Sequence, residues 1–126
     1  MSDWNFKHFK PEEFACPCCG LQRIDPELVR ILDEVREETG IVMVINSGTR
    51  CVKHNTDVGG ARLSAHLVYG EYSHAADISC TNDIERGQLA EACYKRGIRR
   101  FEASDLHLHV DNATSSPMLK AVVFRG

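Results

Sequence analysis

Polar and apolar side chains alternate from His107 to Asp111, reading His-Leu-His-Val-Asp, and an extended strand is the backbone form that sends neighbouring residues to opposite faces. Two imidazoles and a carboxylate then share one surface, while Leu108 and Val110 turn towards a core. Ala75 to Cys80 repeats the pattern, with Ala75, Asp77 and Ser79 on one face and Ala76, Ile78 and Cys80 on the other. A sheet that is polar on one side and apolar on the other must bury its apolar side against another layer. Asp25-Pro26 supplies an N-cap and a first helical residue, and Leu28, Ile31, Leu32 and Val35 recur at helical spacing until Thr39-Gly40. The β-branched run Ile41 to Ile45 then reads as a buried central strand. Asn82 and Glu85 form a capping pair for a second helix that stops at Arg96-Gly97, with Ile84, Leu89 and Cys93 in its apolar stripe. Strands are expected at Leu106 to Asp111 and Leu119 to Arg125, with a further candidate at Ile98 to Ala103. The expected class is α+β: two main helices against a small, mostly antiparallel sheet.

A chain of 126 residues, 43% hydrophobic, suits one domain spanning residues 1–126. Its 18 acidic residues outnumber the 15 Lys and Arg, for a net charge of −3, so the positive field that holds nucleic acid is missing and no nucleic-acid partner is expected. Lys95-Arg96 with Arg99-Arg100 reads as a solvated helix end. The longest apolar run, Ile41 to Ile45, is far short of the roughly 20 residues that cross a bilayer, and no charged-then-apolar leader opens the chain. A monomer made in the cytoplasm, without membrane attachment, is the expectation.

Six cysteines are unevenly placed: Cys16, Cys18 and Cys19 are bunched, and Cys51, Cys80 and Cys93 are scattered. Without a leader mostly free thiols are expected, with room for one pair brought together by folding. Cys16 and Cys19 form a C-x-x-C pair, but a structural zinc site ordinarily needs a second such pair, and none exists. If the N-terminal group does hold a metal, Cys51 is the first place to look for a further ligand.

Between Ser47 and Tyr72 periodicity fades, apart from a short helix around Cys51 to Asp57, and glycines, polar residues and histidines dominate. A loop of this length is expected to be functional. His66 lies 11 positions before Asp77, and the segment between them can return its imidazole to that strand. A carboxylate in a short apolar strand needs a cation, a donor network or a metal. His66, Asp77 and His109 together make an N and O donor set suited to tetrahedral zinc, with a fourth position left for solvent. No H-E-x-x-H helix is present.

Ser47-Gly-Thr-Arg50-Cys51, His54-Asn55, Val58-Gly59-Gly60-Ala61, Ser64-Ala-His66-Leu, Ala75-Ala-Asp77-Ile78 and His107-Leu-His109-Val-Asp111 in this order resemble the zinc D-Ala-D-Ala carboxypeptidases and related murein peptidases. Phe9 to Cys16 with Cys19-Gly20 is similar to the lead-in of their small, often phage-encoded members. The likeness runs from about residue 6 to 112. It implies the small α+β domain shared with hedgehog-type signalling domains, zinc on His66, Asp77 and His109, and Arg50 gripping substrate and its developing negative charge, with Ser64 also on the substrate side. A guanidinium fork suits a terminal carboxylate or an oxyanion. The implied partner is a peptidoglycan stem peptide in the bacterial cell wall.

The chain departs from that pattern in several places. Val68 to Glu71 stand as an insertion between the first His and the Asp, and Ser73 occupies an expected glycine position. His74, three residues before Asp77, offers a rival imidazole to His66. Leu106 stands where many relatives carry a general-base Glu, so the proton carrier is sought in His107 first, Asp105 second and Glu102 third. Asp111 either supports His109 or anchors the strand end. Two other readings stay open: a zinc-binding module of the same fold without catalysis, and a redox protein built on Cys16 and Cys19.

Overall fold

The computed structural model describes residues 4–113, and the strand expected at Leu119 to Arg125 lies outside them. After a short 3-10 turn at Pro11–Phe14, helix α1 spans Pro26–Thr39, strand β1 Ile45–Ser47, helix α2 Val52–Asp57, strand β2 Ala75–Ser79, helix α3 Asp83–Lys95, strand β3 Arg100–Ala103 and strand β4 His107–Asp111. The four strands lie in the order β1-β2-β4-β3, and each neighbouring pair is antiparallel. The protein is α+β, as its sequence pattern implies.

Both long helices begin and end on local signals. The Asp25 side chain accepts the Glu27 N–H at the start of α1, and Gly40 closes it in the left-handed conformation, φ 69°. The Asn82 side chain accepts the N–H groups of Ile84 and Glu85 at the start of α3. Ala76, Ile78, Leu108, Val110 and Phe101 on one sheet face join Leu28, Leu32 and Val35 of α1 and Leu89 and Cys93 of α3 in a single core. Trp4, Phe6, Phe9 and Phe14 extend this core from the N-terminal lead-in. The opposite sheet face carries the polar residues and is roofed by the loop between α2 and β2.

Three expectations need correction. The run Ile41 to Ile45 is not a buried central strand: β1 starts only at Ile45, sits at the sheet edge, and leaves Val42 and Val44 70% and 57% exposed. Met43 alone in that run is buried, because an edge segment has one neighbour and one solvated side. Ile84, in the first turn of α3, is 73% exposed rather than part of the α3 stripe. The basic group is not one solvated helix end either. Lys95 and Arg96 bridge to Glu38 and Glu34 of α1, Arg99 stacks over Tyr94, and Arg100 sits on β3, paired with the buried Asp111.

Candidate metal centre and active-site cleft

Strand register builds the centre. Asp77 of β2 lies opposite His109 of β4, and His109 lies opposite Glu102 of β3, so three strands place a carboxylate, an imidazole and a second carboxylate in one row. The next row is Ala75, Asp111 and Arg100. His66 arrives from the loop between α2 and β2, which is fixed at several points. Arg50 donates its N–H to the His66 carbonyl, His74 donates to the Ala65 carbonyl, and the buried hydroxyls of Thr49 and Ser73 share a hydrogen bond of 2.8 Å. Ser73 thus has a buried partner, and the segment before it folds back through a bridge between Tyr69 and Tyr72.

His66 Nε2 lies 3.2 Å and His109 Nδ1 2.8 Å from the same atom, Asp77 Oδ1. Potential ligand atoms of the three residues all fall within 4.8 Å of one another. His74 is elsewhere: its Nδ1 faces Asn112 Oδ1 at 3.3 Å and Asp25 Oδ2 at 3.5 Å.

The far nitrogens decide what the centre can hold. His66 Nδ1 donates to the Gly48 carbonyl at 2.7 Å, and a carbonyl can only accept. His109 Nε2 donates to Asp111 Oδ2 at 2.8 Å, and Asp111 is itself held by Arg100 Nε at 2.6 Å. With one proton each on those far nitrogens, both rings turn a lone pair towards a carboxylate oxygen. Such an arrangement is satisfied by a cation at the centre or by two imidazolium rings whose centroids are 5.2 Å apart. A metal ion removes the clash of lone pairs without crowding two positive rings, so the donor set fits a divalent ion of the zinc type. In the metal-free protein, burial acts to lower the His109 pKa, but its bonds to Asp111 and Asp77 prevail and raise it to about 9. Burial likewise acts to raise Asp77, yet His109 and His66 hold its carboxyl well below the usual range.

The centre lies in an open cleft of about 510 Å³ whose walls include Arg50, Ser64, Glu102 and His107. Arg50 is braced: Nε bonds Ser47 Oγ at 3.2 Å, Nη1 bonds Asn55 Oδ1 at 3.0 Å, and Nη2 is 3.6 Å from Asp77 Oδ2. Asn55, buried, is fixed in turn by donating to the Ala61 carbonyl. A Cβ at Gly60 would lie 2.1 Å from Asn55 Oδ1 and 2.8 Å from Arg50 Nη1, so glycine there makes room for the brace. Ser64 Oγ accepts the His66 N–H at 3.1 Å. Asp105 falls in the exposed turn between β3 and β4, outside the cleft walls, because β4 begins only at His107.

The sequence matches the family model described as peptidase M15 over residues 7–111. The chain belongs to the peptidase M15 family. No curated protein gives a match. Membership makes the chain a peptidase by family, and the matched span takes in every residue of the metal centre. Among the described residues no helix is long and apolar enough to cross a membrane. Two residues that support this M15 site, Asn55 behind Arg50 and Arg100 beside Asp111, have roles that the sequence does not state. Asn55 could have been sought in the His54-Asn55 motif, which points to the loop without saying what its amide holds. Arg100 carried no signal of its own, since only the pairing of β3 with β4 sets it beside Asp111.

Proposed function

We propose that this chain is a zinc-dependent peptidase that hydrolyses a peptidoglycan stem-peptide bond involving a D-amino acid. One observation carries the reading: two imidazoles meet a single oxygen of a buried carboxylate although each already has an acceptor on its far nitrogen. His66, Asp77 and His109 would hold the ion. Zinc bound there supplies a Lewis acid that polarises a peptide carbonyl and makes water nucleophilic near neutral pH. The protein's own groups do the rest. Asp111 and Gly48 hold the two rings in the tautomers that leave Nδ1 of His109 and Nε2 of His66 for the ion. Arg50 presents a positive fork at the cleft wall, suited to a developing oxyanion or the free carboxylate of a stem peptide. Its bonds to Ser47 and Asn55 set that position before substrate enters.

His107 and Glu102 are the proposed proton carriers, with Asp105 third because it lies outside the cleft walls. Ser64 is the proposed hydrogen-bonding partner for the substrate backbone. The deciding test is mass spectrometry of purified stem peptides incubated with the zinc-loaded protein and with Asp77→Ala. Shortened or cleaved peptides are expected from the wild type alone, and their masses distinguish loss of a terminal D-Ala from a cut inside the stem. Equal products from both proteins would refute the reading. Zinc binding without turnover by the wild type would instead favour a module of this fold that binds metal without catalysis, a reading that Leu106 in the usual Glu position supports.

A further inference from the structure

Four cysteines that the peptidase chemistry does not use meet at one point. Cys16, Cys18 and Cys19 come from the turn after the 3-10 segment, and Cys51 immediately precedes α2. Cys51 Sγ lies 3.4 Å from Cys18 Sγ and 3.7 Å from Cys16 Sγ, and all four sulfurs fall within 4.8 Å of one another. Disulfide sulfurs sit at about 2.05 Å, so these are not bonded pairs. The edge of a tetrahedron of thiolates around zinc, with Zn–S of about 2.3 Å, is roughly 3.8 Å. The two Cys51 separations fall near that edge, and the whole group is compact enough to surround one ion.

From these distances we infer that Cys16, Cys18, Cys19 and Cys51 form a structural tetrathiolate zinc site, separate from the cleft. The backbone is already shaped for it. The turn is closed by Gly20 N–H to the Cys16 carbonyl at 2.8 Å and Cys16 N–H to the Leu21 carbonyl at 2.7 Å, with Gly20 at φ 80° where a side chain would be strained. Cys51 Sγ also accepts the His54 N–H at 3.3 Å. Four soft sulfur donors in this geometry select zinc over hard cations, and with no donor position left open the site is structural rather than catalytic. The missing second C-x-x-C pair is replaced by a single cysteine 32 residues downstream of Cys19, delivered by the fold.

The site would clip the N-terminal lead-in to the segment that carries Arg50. That segment already rests on the lead-in: Thr49 N–H donates to the Phe14 carbonyl at 2.8 Å, Arg23 N–H donates to Thr49 Oγ1 at 3.0 Å, and a Cβ at Gly48 would lie 2.7 Å from the Phe14 Cα. A metal on Cys51 adds a cross-link one residue from the guanidinium that faces the cleft.

The test uses the full chain purified under reducing conditions. Cys18 and Cys19 are exposed, while Cys80 and Cys93 are buried, so native alkylation by iodoacetamide distinguishes ligation from simple burial. In the zinc-loaded protein Cys18 and Cys19 are expected to resist alkylation and to become reactive once a chelator strips the metal; Cys80 and Cys93 should stay unreactive in both states until the chain is unfolded. Asp77→Ala, which lacks the cleft ligand, is expected to retain about one zinc per chain and, loaded with cobalt, to show intense thiolate-to-metal charge-transfer absorption. Adding Cys18→Ser to that variant should abolish the absorption. Immediate alkylation of Cys18 and Cys19 in zinc-loaded protein, a disulfide among the four, iron in place of zinc, or cobalt-loaded Asp77→Ala without thiolate absorption would each overturn the inference. None of these readouts depends on peptide hydrolysis, so this site and the proposed activity stand or fall separately.

Discussion

Asp77 is almost fully buried, at 7% exposure, and its Oδ1 faces two imidazoles while Oδ2 faces Arg50. A group so surrounded makes the metal-free and metal-loaded proteins differ in their response to pH. In the metal-free form His109 has a pKa of about 9 against an ordinary value of 6.5, so its stabilising contribution is complete below 6.5 and is lost as pH rises through 9. Asp77 has the opposite sign: its contribution is present above its ordinary value of 3.8 and is lost as pH falls below it. Thermal melts of chelated protein should therefore show a plateau between those two ordinary values and a falling midpoint towards pH 9. Zinc-loaded protein, with the His109 lone pair occupied, should not show that alkaline decline; identical curves for the two forms would contradict the ligand assignment. Asp111→Asn removes the negative charge that holds the His109 ring and should weaken zinc binding about 10- to 100-fold, measured by chelator competition. Arg50→Lys keeps the charge but loses the planar fork and its brace to Asn55. A fall in kcat/KM on the order of 100-fold is expected, with zinc content unchanged.

At the level of elements, β4 is the member on which both halves of the molecule depend. Its outward residues His107, His109 and Asp111 line the cleft, and its inward residues Leu108 and Val110 are completely buried. Leu108→Ala should cost about 2–5 kcal/mol by opening a cavity under the metal centre, visible as a lower denaturation midpoint in urea. The loop between α2 and β2 is the other critical element, because it must deliver His66 without a regular ladder. Its anchor is the buried pair of Thr49 and Ser73. Ser73→Ala removes one buried hydrogen bond and should cost about 1 kcal/mol, a drop that thermal melts can detect. Most of the regular elements were legible locally: the caps at Asp25 and Asn82 and the alternations at Ala75 and His107 depend on neighbours a few residues away. The run from Ile41 departs from its expected role because its composition suits burial while its place beside the sheet edge leaves Val42 and Val44 in solvent.

Across the whole molecule, α1 and α3 cover the apolar sheet face, and the polar face is roofed by a loop that the N-terminal lead-in supports from one side. The lead-in is consequently a working part of the domain rather than a preamble. Trp4, Phe9 and Phe14 root it in the core, and its Cys16, Cys18 and Cys19 meet Cys51 in one cluster. Removal of metal from those sulfurs should loosen the segment holding Arg50 before the sheet itself, seen as earlier hydrogen exchange at residues 48–51 than at Ile78 or Leu108. Uniform exchange across both regions would argue against a local clip.

Periods of 2 and 3.6 in the hydrophobic pattern, with cap and turn residues, were enough to foretell an α+β fold with one polar sheet face. Ordered motifs were enough to bring forward His66, Asp77 and His109 together with Arg50. Those signals are local, or are carried by residue identity, and so survive in a linear string. The choice of His66 over His74 beside Asp77, the brace from Asn55 and the pairing of Arg100 with Asp111 came from folding. So did the meeting of Cys51 with the cysteines at 16, 18 and 19. Each depends on strand register or on where a loop returns, and those are fixed by packing and hydrogen bonding between segments far apart in the chain, which no local pattern encodes.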